Sequence, residues 1–191
     1  MEDKIIAAAR DYINELFKNN SDGHDANHSI RVYQNARMIA KAYPETNMTV
    51  ISLASLLHDA DDYKLFHTKN NENARAFLNS QQIEPDTAAF ICQVIDGVSF
   101  SKNRGHRPKS QEGQIVQDAD RLDAIGAIGI ARTFAFGGKN GRPLESSLQH
   151  FYDKLLLLKD EMNTEEAKRI AEVRHAYMEG FLREIYQERG V

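Results

Sequence analysis

The sequence predicts an all-α fold of seven to nine helices. Apolar residues recur at three- and four-residue spacing along nearly the whole chain. No segment shows the strict alternation of a half-buried strand. Prolines number only 4 in 191 residues, and Val, Ile and Thr are not abundant, which leans against a sandwich or barrel.

Each element follows from local pattern. Ile5, Ala8, Ala9, Tyr12, Ile13, Leu16 and Phe17 mark a first helix, which the polar run Asn19-Asn20-Ser21-Asp22-Gly23 breaks. A second helix spans about 25–42, with Val32, Ala36, Ile39, Ala40 and Tyr43 on one face, and Pro44 ends it. A third covers about 48–58. Its core VISLASLL is apolar nearly all round, so this helix should be central and buried. Two more follow near 70–80 and 85–98, the latter with Pro85 in its first turn. Residues 99–110 read as a polar, basic loop. Residues 112–136 read as one or two helices, closed by a turn at Gly137-Gly138-Lys139-Asn140-Gly141. Final helices cover about 144–159 and 165–187, the last opened by Thr164-Glu165-Glu166.

With 41% apolar and 27% charged residues, the balance is that of an ordinary globular protein. The length suits a single domain over 1–191, with a core over about 20–135 and the helices of about 144–188 packing on it. A net charge of −4 argues against a duplex nucleic-acid partner. The lone cysteine, Cys92, cannot form a disulfide within the chain, which suits a reducing compartment. The N-terminus resembles neither a signal peptide nor an anchor, and no apolar run is long enough to span a bilayer. A cytoplasmic location is expected.

Seven histidines and fourteen aspartates supply the reactive chemistry. His58 and Asp59 end the nearly apolar third helix, where two ionisable groups are costly unless paired, hydrogen-bonded or metal-bound. A helix C-terminus emerging into solvent would also favour an imidazole there. His28 lies four residues before Val32 and continues the inward stripe of the second helix. Asp120, four residues after Val116, again faces inward, with Asp118 and Asp123 flanking it. So many buried acids need a cation to offset their repulsion. His28, His58, Asp59 and Asp120 thus offer two imidazoles and two carboxylates from three helices. That donor set suits Mn²⁺, Fe²⁺, Ni²⁺, Zn²⁺ or Co²⁺, with Mg²⁺ less at home among histidines. Without cysteine ligands, a closed structural zinc site is disfavoured.

The order His, then His-Asp about thirty residues on, then Asp about sixty further, resembles the HD-domain metal-dependent phosphohydrolases. The phrases HDANHSIRV (24–32), LLHDADDYK (56–64), DADRLDAIGAIGIAR (118–132) and HFYDKLLLLKDEMNTEEAKRIAEVRH (150–175) are closer still to the small bacterial members of the YpgQ/YedJ type. The resemblance spans about residues 20–185. It implies an all-helical HD fold and a single divalent metal on His28, His58, Asp59 and Asp120, with Asp118 competing for the last position. It also implies hydrolysis of phosphate esters or anhydrides. The nearer relatives imply nucleotide substrates and Mn²⁺-dependent release of pyrophosphate from nucleoside triphosphates. A phosphodiesterase, a nucleotide monophosphatase and a non-catalytic nucleotide-binding module are the alternatives, and a homo-oligomer is compatible with all of them. His67 and His106 fall in the interval where two-metal members carry further histidines, but neither sits in a comparable helical setting.

HD enzymes carry an acid just after the His-Asp pair. Asp62 fills that place and would share the face of His58 if the third helix ran one more turn, ready to orient or deprotonate water. The structural alternative is a solvated loop acid, since Asp61-Asp62 is a like-charged pair. Lys64 joins Asp62 as a candidate catalytic residue. Phosphate needs cations. Arg31, His24, Lys64 and Arg121 are the substrate-binding candidates, though for Arg121 taken by itself a surface or salt-bridging role is the favoured reading. Arg132 lies on the same helical stretch. The basic segment 102–109, with four formal positive charges, fits a clamp over phosphates or a solvated loop equally well. The Gly-rich turn at 137–141 lacks P-loop spacing and follows a helix rather than a strand.

Overall fold

The computed structural model describes residues 2–18, 25–63, 65–99, 103 and 105–190. Among them are nine α-helices and no strand: α1 (Glu2–Leu16), α2 (Ala26–Ala40), α3 (Met48–Leu57), α4 (Glu72–Ser80), α5 (Pro85–Asp96), α6 (Gln111–Asp123), α7 (Gly126–Lys139), α8 (Leu144–Asp153) and α9 (Glu165–Glu188). A 3₁₀ segment, Leu155–Glu161, lies between α8 and α9. None of these helices is long and apolar enough to cross a membrane.

The chain divides into two compact units, Met1–Asp120 and Arg121–Val191. In the first, α3 is the hub. Every residue from Val50 to Leu57 is buried, as an all-round apolar helix requires, and α1, α2 and α5 pack against it. Val32, Ala36, Ile39 and Ala40 form the inward stripe of α2. Asp25 caps that helix, its carboxylate accepting the His28 N–H at 2.8 Å. Asn47 caps α3 by accepting from the N–H groups of Thr49 and Val50. Asn35 on α2 donates to the Ala119 carbonyl of α6 at 3.2 Å.

In the second unit, α7 packs on α8 and α9, and the 3₁₀ segment packs on α8 and α9. Phe134, Phe151 and Phe181 form an aromatic cluster with ring centroids 5.7–6.0 Å apart. Thr164 caps α9, its hydroxyl accepting the Ala167 N–H.

The sequence reading left one or two helices open over 112–136, and two other boundaries differ from it. Residues 112–136 form two helices, because Gly126 adopts φ +77°, which stops α6 and starts α7. The Gly137-Gly138 pair does not interrupt; α7 runs through it to Lys139. Gly137 is there for close approach, since a Cβ would lie 2.6 Å from Ser147 Oγ on α8. The helix expected over 144–159 breaks at Lys154, with φ −142° and ψ −58°, and continues as the 3₁₀ segment. That tighter winding buries Leu155 and Leu158.

Candidate metal centre

The geometry begins with helix ends. His58 is the C-cap residue of α3. Its Nδ1 lies 2.8 Å from the Ser55 carbonyl oxygen. A carbonyl only accepts, so Nδ1 carries the proton and the Nε2 lone pair points away from α3. His28, buried in the first turn of α2, brings its Nε2 to 3.2 Å from His58 Nε2. The two rings meet edge to face, 5.1 Å between centroids. Asp120 Oδ1 on α6 lies 3.2 Å from His28 Nε2 and 3.8 Å from His58 Nε2. These three donors form a group capable of holding a metal ion. Asp59 reaches both rings with different oxygens, Oδ2 at 3.5 Å from His28 Nε2 and Oδ1 at 3.5 Å from His58 Nε2. His28 Nε2, His58 Nε2 and Asp120 Oδ1, from α2, the end of α3 and α6, therefore face one point, with the Asp59 carboxylate against both rings but outside that three-residue group.

The spacings fit a small divalent cation. With metal–ligand bonds of about 2.1 Å, neighbouring donors sit about 3.0 Å apart in an octahedron and about 3.4 Å apart in a tetrahedron. The observed separations, 3.2–3.8 Å, begin between those values and extend somewhat above them. The histidine Nδ1–H to carbonyl bond is the outer contact that holds a ligating imidazole in orientation. Burial pushes the Asp120 carboxyl upward, but the His28 hydrogen bond and the electrostatic pull of the His28 and His58 rings outweigh it, despite Asp59 nearby. The group is held below the usual carboxylate range.

Asp118 is fully buried and is not in the three-residue group, which takes Asp120 instead. His67 and His106 are exposed and outside it. Arg31 is half-buried on α2, one turn beyond His28. Asp62 is half-buried, but α3 does not run on to reach it. After Leu57 the chain tightens into three-residue turns, with Ala60 N–H donating to Leu57 O and Asp62 N–H to Asp59 O. The α-helical register that would stack Asp62 on His58 is therefore absent. Arg121 is buried, its guanidinium donating to the Glu161 carbonyl and lying 3.4 Å from the Glu161 carboxylate. Arg132 pairs with buried Asp123 at 2.5 Å. His24, Lys64, Lys102 and Arg104 lie outside the described residues. The basic loop is anchored to α6 where it is described. Arg107 donates to Gln114 Oε1, Gln114 donates to Pro108 O, and Gln117 donates to the carbonyls of Gly97 and His106.

Sequence reasoning missed two contributors. Asn35, seven residues after His28 on the same stripe, ties α2 to the turn of α6 that carries Asp120. A buried amide on an otherwise apolar face was the available signal. The Ser55 carbonyl leaves no side-chain signature at all.

Residues 25–125, a span enclosing all four converging side chains, match the HD domain family. The chain belongs to that family, whose all-helical fold and paired His-Asp are the features just described. Among its relatives is YpgQ of Bacillus subtilis, 37% identical over 188 residues, covering 94% of this chain and 91% of that protein. The crystal structure of YpgQ in complex with ADP matches with a TM-score of 0.84 at 34% identity, covering 98% of this chain and 96% of that one. The crystal structure of an HD-superfamily hydrolase from Bacillus thuringiensis matches at a TM-score of 0.81 and 37% identity, over 100% of both chains.

Proposed function

We propose that the chain is a divalent-metal-dependent phosphohydrolase that releases pyrophosphate from (deoxy)nucleoside triphosphates, with Mn²⁺ as the favoured ion. The observation that carries the reading is the meeting of His28, His58, Asp59 and Asp120 at ion-coordinating separations. The ADP complex of a relative at 34% identity supports a nucleotide as the substrate class.

In this reading those four side chains hold the ion, which when bound supplies positive charge to a phosphoryl oxygen and makes a water more acidic. Four protein ligands leave room in the sphere for water and substrate oxygen. Asp62, three residues after Asp59, orients the attacking water and accepts its proton. Arg31 on α2, with Lys64 and His24, offsets the negative charge of the phosphates as the bond to the leaving pyrophosphate breaks. Asn35 keeps α2 and α6 in register so that His28 and Asp120 stay together. The net reaction takes water and a nucleoside triphosphate to a nucleoside monophosphate and pyrophosphate.

The test is turnover of ATP, GTP, CTP, UTP and their deoxy counterparts with Mn²⁺, with product analysis. Pyrophosphate as the sole inorganic product is expected, and both chelation and Asp59→Ala should abolish it. Stepwise orthophosphate release would instead make the site a phosphatase. Hydrolysis that survives both chelation and Asp59→Ala would overturn the reading.

A further inference from the structure

Asp61 sits between Asp59 and Asp62, yet its carboxylate serves another helix. The residue before α4, Asn71, has φ +56° and ψ +45° and makes no side-chain cap to its own helix. Its amide instead donates to Asp96 Oδ1 at 3.0 Å and to Cys92 O at 3.4 Å on α5. The first-turn N–H groups of α4, which a local cap would ordinarily satisfy, are taken by Asp61. Asn73 N–H donates to Asp61 Oδ1 at 2.9 Å and Ala74 N–H to Asp61 Oδ2 at 3.0 Å. The link is reciprocal, since Asn73 Nδ2 donates back to Ala60 O at 2.7 Å. Tyr12 of α1 holds the same residue from below, its hydroxyl donating to Asn73 O at 3.2 Å.

Three hydrogen bonds therefore fasten residues 60 and 61 to the start of α4. Two of them are charge-assisted, and they lie at the helix end that favours an anion. The turn they fasten is wound by three-residue backbone bonds, Ala60 N–H to Leu57 O and Asp62 N–H to Asp59 O, and it brings Asp59 against the two imidazoles. We propose that Asp61 is the positioning residue of the metal centre. By capping α4 from ten residues upstream, it fixes the turn that aims Asp59 at the two imidazoles. This rests on the metal reading of the site.

The test compares Asp61→Ala and Asp61→Asn with Asn71→Gly. The last loosens α4 from α5 but leaves the 58–62 turn untouched, and glycine suits the left-handed backbone there. Mn²⁺ affinity is read from the free-ion electron-paramagnetic-resonance signal. Turnover of ATP is split into kcat and KM, and folding is checked by circular dichroism. Asp61→Ala should weaken Mn²⁺ binding and lower kcat by about tenfold or more each, the scale of outer-contact losses at metal sites, with KM within about twofold. Asp61→Asn keeps one acceptor oxygen and should fall between Asp61→Ala and wild type, which also covers the case of an alanine variant that does not fold. Asn71→Gly should lower thermal stability and leave Mn²⁺ affinity and kcat at wild-type values. Wild-type metal affinity and kcat in both Asp61 variants would overturn the proposal, as would the same losses in Asn71→Gly. If the wild-type chain itself binds no Mn²⁺, the metal reading falls first and the positioning role falls with it. That outcome is separate from a wild type that binds and Asp61 variants that bind equally well.

Discussion

Asn35 shows how much of the site depends on a residue outside the candidate ligand set. Its amide, buried on α2, donates to the Ala119 carbonyl next to Asp120. Asn35→Ala should cost about 1–2 kcal/mol of stability, read from urea unfolding at unchanged m-value. It should also weaken divalent-ion binding, whereas the distant Met38→Ala should not. At the same scale, burial pushes the Cys92 thiol up, with Asp96 and Asp61 adding to the rise and Arg75 opposing it. The thiolate is the reactive form, so Cys92 should react with a disulfide reagent in the native chain far more slowly than in denaturant. Prompt native labelling would contradict this. The residues legible in the sequence were those whose side chains break an apolar stripe, as His28 and Asp120 do. Asp118 breaks its stripe equally well and is more deeply buried than Asp120. Only the arrival of α2 and α3 beside α6 separates it from Asp120, and no single-helix pattern contains that.

Elements were legible where the 3.6-residue period was clean and illegible where a neighbour set the boundary. The four leucines at 155–158 carry no period, so nothing local announces that the chain leaves α-helical winding at Lys154. Glycine pairs ordinarily mark turns, yet α7 passes through Gly137 and Gly138 because Ser147 of α8 needs the space at 137. The two glycines should therefore respond with opposite signs. Gly137→Ala forces a Cβ to 2.6 Å from Ser147 Oγ and should destabilise by about 1–3 kcal/mol. Gly138→Ala meets nothing within 4 Å and should stabilise by about 0.5–1 kcal/mol through the unfolded chain. Chemical denaturation of the two variants measures both. In α8, burial foremost, then Lys154 and Arg142, lowers the proton affinity of His150, against a smaller opposing pull from Asp153. The folded chain binds this proton less readily than the unfolded one, so the contribution is full above the unfolded value of about 6.5 and is lost as pH falls below it. His150→Gln should flatten the stability profile below about pH 6.5.

For the molecule as a whole, helical architecture was readable from apolar spacing, and family membership from four phrases lying between residues 24 and 175. The reason is that a metal site fixes residue types at fixed points of a helical scaffold. The division into Met1–Asp120 and Arg121–Val191 was not readable, because it falls inside a continuous helix with no change of composition. An ion that binds only the native state stabilises by mass action, about 2.7 kcal/mol at a hundred times its dissociation constant. Thermal unfolding should thus shift upward with Mn²⁺, shift back on chelation, and stay fixed in His28→Ala. No shift at millimolar Mn²⁺ in the wild type would count against the site.

The partner of His58 Nδ1 is main chain, not side chain. Whatever residue an engineer writes at position 55, the oxygen that steers the imidazole is inherited with the peptide bond. Redesign can strip this centre of its acids one at a time, but the aim of that ring yields only to a change in the path of α3 itself, such as a proline or an ester linkage set into its final turn.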